Sequence, residues 1–247
     1  MLALHHIGVR FGGLIALDDV SLQVQPGRTV GVIGPNGAGK TTLFNVVCGF
    51  VAPTNGTLTL DGRPFKPRPH RLTSNGIART LQGVGQFAGL TVLESVLTGT
   101  EHLAHAGFAS ALFGLPRAGR DERRLRAAAL TALERCGVAE HAQARPQSLP
   151  YAVRKRIALA RALVSEPRLL LLDEPAGGLG ADEITDLARL IAETEAAVLL
   201  VEHRMELVMS VCDEILVLDF GKPIAHGSPA EVQHDPAVAD AYLGVAP

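Results

Sequence analysis

Nine consecutive residues, Gly34-Pro35-Asn36-Gly37-Ala38-Gly39-Lys40-Thr41-Thr42, set four residues between a glycine and a Gly-Lys-Thr triplet. That spacing suits a phosphate cradle. A polyphosphate is wrapped by backbone N–H groups, and side chains at the closest points would hold it away, so glycine at 34, 37 and 39 removes Cβ and permits positive φ. Lys40 supplies a point charge for the terminal phosphates. Thr41 offers a hydroxyl to Mg²⁺ where the loop enters a helix whose N-terminus favours anions. The flanks fit: Thr29 to Ile33 is a short apolar, β-branched run suited to a buried strand, and Thr41 to Cys48 reads as a helix stopped by Gly49. An ordinary glycine turn would not need this order of strand, loop and helix.

A second chemical feature lies downstream. Leu169-Leu170-Leu171-Leu172 runs into Asp173-Glu174-Pro175, and two acids at the end of a buried strand are costly unless they bind something. Asp173 is placed to hold the shell of a Mg²⁺ ion, and Glu174 to orient and polarise an attacking water. A solvated strand end turning at Pro175 is the plainer alternative. His203 follows the apolar strand Ala197 to Glu202 and can donate to a phosphate, although a lone histidine is also a common structural residue. Gln82 closes the strand Ile77 to Leu81, where its amide oxygen can reach a metal or a water. Phe11, beside Gly12-Gly13, is either a core strand aromatic or a platform for a base.

These groups must be carried by strands and helices that converge. The first third of the chain reads as strands: Leu4 to Phe11, Val20 to Val24 with clean alternation, Thr29 to Ile33, and Thr57 to Leu60 after the turn Pro53-Thr54-Asn55-Gly56. From Thr91 the texture becomes helical. Thr91 and Glu94 form a capping-box pattern, and residues 121 to 136 are rich in Ala, Leu, Arg and Glu. Residues 83–156 read as a helical insertion. Strand and helix then alternate through Leu169 to Asp173, Ala181 to Thr194, Ala197 to Glu202, a helix from Arg204, and Ile215 to Leu218, which predicts a parallel sheet covered by helices. Ligands of such sheets bind beyond the carboxyl ends of the strands, where Gly34, Asp173 and His203 all fall. Ser228-Pro229-Ala230-Glu231 opens a short helical tail.

Composition narrows the classes. The 247 residues carry 23 Lys and Arg against 25 Asp and Glu, a net charge of −2, so no electrostatic footprint for nucleic acid is present. Arg117, Arg120, Arg123, Arg124 and Arg126 cluster but are interrupted by Asp121 and Glu122, which reads as a solvated helix face rather than a lipid-facing patch. Cys48, Cys136 and Cys212 are far apart and read as buried free thiols of a reducing compartment. No secretory signal is expected, and no apolar run approaches the roughly 20 residues needed to span a bilayer.

Taken together, these residues resemble the nucleotide-binding subunit of ATP-binding cassette (ABC) transporters across essentially the whole chain. The likeness rests on Phe11 as the aromatic A-loop, residues 34–42 as Walker A, Gln82 as the Q-loop, residues 169–174 as Walker B and His203 as the switch histidine. Finer stretches look like the ATPases of branched-chain amino acid importers: Phe11-Gly12-Gly13-Leu14, Thr42-Leu43-Phe44-Asn45, Gly76-Ile77-Ala78-Arg79-Thr80, Val201-Glu202-His203 and Ala241-Tyr242-Leu243-Gly244. The resemblance implies an α/β fold, a P-loop NTPase with a RecA-like core and parallel sheet, an N-terminal antiparallel β subdomain and a helical insertion. One cassette domain would cover 1–247, with 1–82 and 157–227 as β subdomain and core, 83–156 as helical subdomain and 228–247 as tail. ATP and Mg²⁺ are implied as ligands, with Thr41, Gln82 and Asp173 at the metal and Glu174 and His203 at the reacting phosphate. The implied place is the cytoplasmic face of a membrane, held through permease subunits and working indirectly with a solute-binding protein.

In that family two cassettes sandwich two ATP molecules, each site pairing the Walker motifs of one with the signature of the other. Here the signature departs from its pattern: where the family has Leu-Ser-Gly-Gly-Gln or Leu-Ser-Tyr-Gly-Gln, this chain reads Leu149-Pro150-Tyr151-Ala152-Val153. Pro150 has neither hydroxyl nor N–H, and Ala152 adds a Cβ. Gly180 also stands where Asp or Asn is usual in the D-loop. Both departures affect what the chain offers in trans, so a heterodimer with a different cassette is expected. The plainer alternative is that Pro150 merely occupies the first position of the helix. Three rivals stay open: a non-hydrolytic regulatory subunit, an ATPase of a urea, amide or other polar-solute transporter, and a soluble ABC ATPase of DNA repair or translation.

Overall fold

The computed structural model describes residues 1–80, 87, 89–104 and 116–243. Two sheets organise the chain. An antiparallel sheet of order β2-β1-β4-β5 comprises β1 (Leu2–Phe11), β2 (Leu14–Val24), β4 (Asn55–Leu60) and β5 (Arg63–Pro64). A second sheet has the order β10-β9-β3-β8-β7-β6, from β3 (Thr29–Ile33), β6 (Ile77–Arg79), β7 (Leu169–Asp173), β8 (Ala197–Val201), β9 (Glu214–Asp219) and β10 (Lys222–Gly227). All its pairings are parallel except β10 on β9.

The unbroken apolar runs of β3, β7 and β8 follow from burial on both faces. Val30, Val32, Leu169, Leu171, Leu199 and Val201 join the core around α1 (Lys40–Cys48), which packs between the two sheets. The alternate residues Ile33, Leu170, Leu172, Val198 and Leu200 join the core on the opposite face. There the helices α2 (Val92–Leu97), α3 (Pro116–Arg135), α4 (Tyr151–Leu163), α5 (Ala181–Ala192) and α6 (Met205–Val211) collect. The tail adds α7 (Pro229–Gln233) and α8 (Pro236–Leu243).

Local signals account for the helix boundaries. Thr91 caps α2 in full: its Oγ1 accepts from the Glu94 N–H at 3.2 Å and its own N–H donates to Glu94 Oε2 at 2.7 Å. Ser228 and Glu231 repeat the arrangement at α7. Gly49, at φ 77°, closes α1. The three cysteines are free and buried.

Several expectations need correcting. Strand β2 begins at Leu14 rather than Val20; Asp18 and Asp19 hide its first half, and Asp19 sits at φ 59°. Helix α3 starts at Pro116, not 121, since proline suits a first turn. Strand β6 stops at Arg79 instead of Leu81, and Gln82 lies outside the described residues. Helix α4 runs without a break across residue 156. Phe11 is not a core aromatic, because half of it is exposed. Among the described residues no helix is long and apolar enough to cross a membrane.

Candidate functional site

Neighbouring strands bring the chemical groups together. Because β8 lies between β3 and β7, the loops leaving their carboxyl ends meet: residues 34–39 after β3, Asp173 to Gly180 after β7, and Glu202 to Arg204 after β8. The candidate side chains lie on those loops or at their borders, with Lys40 and Thr41 at the start of α1 and Asp173 at the end of β7.

The first loop is shaped by close backbone approach. A Cβ on Gly34 would collide with the carbonyl oxygen of Leu218 at the end of β9, and one on Gly39 would lie 2.7 Å from the Ala16 carbonyl oxygen of β2. Gly34 and Gly39 adopt φ of 147° and 102°, which side-chain-bearing residues resist. The Ala38 N–H donates to Pro35 O at 3.2 Å, and Leu43 N–H to Gly39 O at 2.9 Å, turning the loop into α1. Asn36, Gly37 and Thr41 are exposed, and Thr42 is half-buried. The N–H groups at the start of α1 and the fold of the loop form a concavity of backbone donors suited to an anion.

Lys40 is buried, and its Nζ donates to Gly34 O at 2.7 Å and Pro35 O at 2.9 Å. The ammonium is therefore folded back onto the loop it serves. Burial lowers its pKa, and the nearby Glu174 carboxylate works in the opposite direction. A polyphosphate offers this cation the anionic partner that two neutral carbonyls lack.

Asp173 ends β7 with its Oδ1 buried and without a hydrogen-bond partner. Burial, then the Glu174 charge, pushes its carboxyl up to about 6, while Arg79 pulls the other way. A buried carboxylate oxygen so placed calls for a cation. Asp173 and the Thr41 hydroxyl are hard oxygen donors of the kind Mg²⁺ accepts. Among the described residues no group of three or more His, Cys, Asp or Glu could hold a metal unaided.

Glu174 sits at φ 47°, a left-handed conformation that costs a residue with a side chain about 1–3 kcal/mol. Its backbone is held from three sides: its N–H donates to Val201 O at 2.8 Å, and its carbonyl accepts from Lys155 Nζ at 2.9 Å and Gly177 N–H at 3.2 Å. The carboxylate is left partly exposed, with Oε1 4.0 Å from His203 Nδ1. A carboxylate and an imidazole this close, facing a phosphate loop across β8, can hold a water between them and take its proton.

One participant escaped the sequence reading. Glu202 is fully buried, and its carboxylate accepts from the N–H groups of Ala176 at 2.8 Å, His203 at 2.6 Å and Arg204 at 2.9 Å. An acid closing an apolar strand just before His203 was the available signal, the same one that drew notice to Asp173 and Glu174. Lys155 was also missed, since a lysine within a helix gives no sign of the carbonyl it will meet.

The signature segment leads into α4. Pro150 is the N-cap, at φ −54° and ψ 152°, and not the first helical residue; Tyr151 takes that place, and the Pro150 carbonyl accepts from Arg154 N–H at 3.1 Å. No side chain caps this helix. Leu149, Ala152 and Val153 are half-buried against the helical core, while Tyr151 is exposed, beneath the charges of Arg154 and Lys155. Tyr151 also abuts the D-loop: a Cβ on Gly178 would lie 3.0 Å from its Cε1. Gly180 caps α5, its N–H donating to Glu183 Oε2 at 2.8 Å. The two departures from the family pattern thus lie on adjoining loops.

Comparison with known proteins agrees with this geometry. The family described as ABC transporter matches residues 17–177, and the one described as branched-chain amino acid ATP-binding cassette transporter matches residues 222–247. The high-affinity branched-chain amino acid transport ATP-binding protein LivG of Salmonella typhimurium is 41% identical over 100% of this chain and 98% of its own length. Its counterpart BraF of Pseudomonas aeruginosa is 41% identical, covering 96% and 95%. A nucleotide-free ATP-binding cassette from an ABC transporter superposes with a TM-score of 0.84 at 28% identity, over 98% of each chain.

Proposed function

The chain belongs to the ATP-binding subunits of ABC transporters, and from that premise we propose that it is the ATP-hydrolysing motor of an importer for branched-chain or chemically related amino acids. The observation that carries the reading is the convergence of Lys40, Asp173, Glu174 and His203 on three adjacent strand ends. Relatives that share the whole length are transport ATP-binding proteins for branched-chain amino acids, which supports the choice of solute.

In this reading the residues 34–42 wrap the β- and γ-phosphates, Lys40 moves from the loop carbonyls onto them, and exposed Phe11 stacks on adenine. Thr41 and Asp173, with Gln82, would hold a Mg²⁺ that neutralises charge developing on the phosphates. Glu174 accepts a proton from water as the water oxygen attacks the γ-phosphorus in line and the bond to the β-phosphate oxygen breaks. His203 donates to a γ-phosphate oxygen and keeps the water aligned. The strained backbone of Glu174 is fixed before substrate arrives, so little reorganisation remains for the reaction.

Two chains complete each site. This one supplies intact Walker residues but a signature without a hydroxyl at Pro150, so its own ATP is completed by the signature of a different, second cassette. The ATP on that partner faces Pro150 and Ala152 and turns over slowly. The pair sits at the cytoplasmic face of the membrane, bound to permease subunits, with a solute-binding protein delivering cargo on the far side. The altered signature is also what favours a second reading, a regulatory subunit that binds ATP without hydrolysing it. Steady-state ATPase of the chain with its cognate partner separates them: turnover abolished by Glu174→Gln supports the motor, and no turnover in the wild type supports the regulator.

A further inference from the structure

The reaction just described leaves one fully buried charge unused. Glu202 follows β8 with none of its surface exposed, a placement that is expensive for a carboxylate unless every lone pair is engaged. Its hydrogen bonds come from backbone N–H groups, and from two different loops. Oε1 accepts from the Ala176 N–H at 2.8 Å, two residues beyond Glu174, on the segment that leads to Gly180. Oε2 accepts from the N–H groups of His203 at 2.6 Å and Arg204 at 2.9 Å, and lies 3.4 Å from His203 Nδ1.

Helix capping does not account for this. Helix α6 begins at Met205, so the donors at His203 and Arg204 precede its first turn, and Ala176 belongs to another strand end altogether. Charge-assisted bonds to backbone donors are about twice as strong as neutral ones. A single carboxylate bonded to both loops therefore ties their backbones together.

We infer that Glu202 is a positioning residue that fastens the His203 loop to the segment Ala176–Gly180, so that contact of His203 with a γ-phosphate is passed to the surface offered to a second cassette. The inference rests on the proposed roles of His203 and Gly180. Its physical content is narrower: the amides of Ala176, His203 and Arg204 should respond to nucleotide together because one side chain holds all three.

Two measurements test it. In the full-length wild-type chain, residue-resolved amide exchange is compared with ADP and with a non-hydrolysable ATP analogue bound. Exchange at Ala176, His203 and Arg204 is expected to slow together, by about tenfold or more, with the γ-phosphate present. A response at His203 without one at Ala176 overturns the coupling, as does no response at either. The second measurement is turnover with the cognate partner. Glu202→Gln keeps the size but turns one acceptor oxygen into a donor, so kcat should fall by about tenfold while the KM for ATP changes by less than about twofold. A folded Glu202→Gln with wild-type kcat overturns the inference. If that variant does not fold, the wild-type exchange experiment decides alone. A wild-type chain without turnover would sink the motor reading and leave the exchange result to judge the coupling separately.

Discussion

The loops at residues 34–42 and 149–153 both turn into helices, and in the proposed reading the first grips this chain's own nucleotide and the second the nucleotide of a facing cassette. They have been built to different standards. At the first, glycines at positive φ are wedged against Leu218 and Ala16, Lys40 is buried, and the carboxylates of Asp173 and Glu174 stand opposite. At the second, a proline caps a helix with no side-chain acceptor, and the tyrosine beside it packs against its own D-loop. In the proposed reading, what the chain uses on its own nucleotide is intact, and what it would lend to a second cassette is reduced. Because the two half-sites would touch different nucleotides, one cassette can keep the first while the second changes.

The largest expected effect belongs to the complete half. Glu174→Gln should lower turnover of the assembled transporter by roughly a hundredfold or more with ATP binding retained, measured by steady-state phosphate release and by a fluorescent nucleotide. Unchanged turnover would remove Glu174 from its role. Next in size is Gly34→Ala. The added Cβ meets a strand carbonyl at a backbone angle that alanine resists, costing about 3 kcal/mol. The melting temperature should then fall by roughly 6–12 °C, whereas Gly180→Ala should move it by no more than about 2 °C, since little crowds a Cβ there.

The reduced half can be sharpened by repair. Pro150→Ser with Ala152→Gly restores a hydroxyl and removes a Cβ, and should raise turnover of the pair by up to about twofold as the second site begins to work. No change would mean that the helix terminus alone already serves the partner's phosphate.

The smallest effect concerns pH. Burial, then the Glu174 charge, pushes the folded-state pKa of Asp173 up to about 6, above the ordinary 3.8. The folded chain therefore binds the proton more tightly than the unfolded one, and this group's contribution to stability falls as pH rises through about 4 to 6. Without nucleotide, Asp173→Asn should melt a few degrees higher than the wild type at pH 7, and the gap should close near pH 4. A gap independent of pH would show that the carboxylate is not held in its raised state.

Much of the complete half was legible because its signals are local. A β-branched run, glycines at fixed offsets and a Lys-Thr pair occur within fifteen residues, and the strands of the central sheet announce themselves because burial on both faces removes polar residues. The capping boxes at Thr91 and Ser228 were legible for the same reason, each being closed within four residues. Glu202 was not, since its partner Ala176 lies 26 positions away and binds through a backbone N–H that carries no residue identity. Lys155 was hidden similarly, as its partner is the carbonyl of Glu174. The first half of β2 was concealed by Asp18 and Asp19 on an exposed edge, where pairing with β1 overrides the weak alternation. The placement of Pro150 as a cap, rather than inside the helix, depends on its ψ of 152°, which no residue type dictates.

This chain is expected to hydrolyse its own nucleotide and to serve the partner's poorly. Vanadate trapping of a photoreactive ATP analogue in the purified transporter tests it most directly, because vanadate holds the product only where hydrolysis has occurred. The trapped label is expected predominantly on this chain, at residues 34–42. Equal labelling of both cassettes, or labelling confined to the partner, would contradict it.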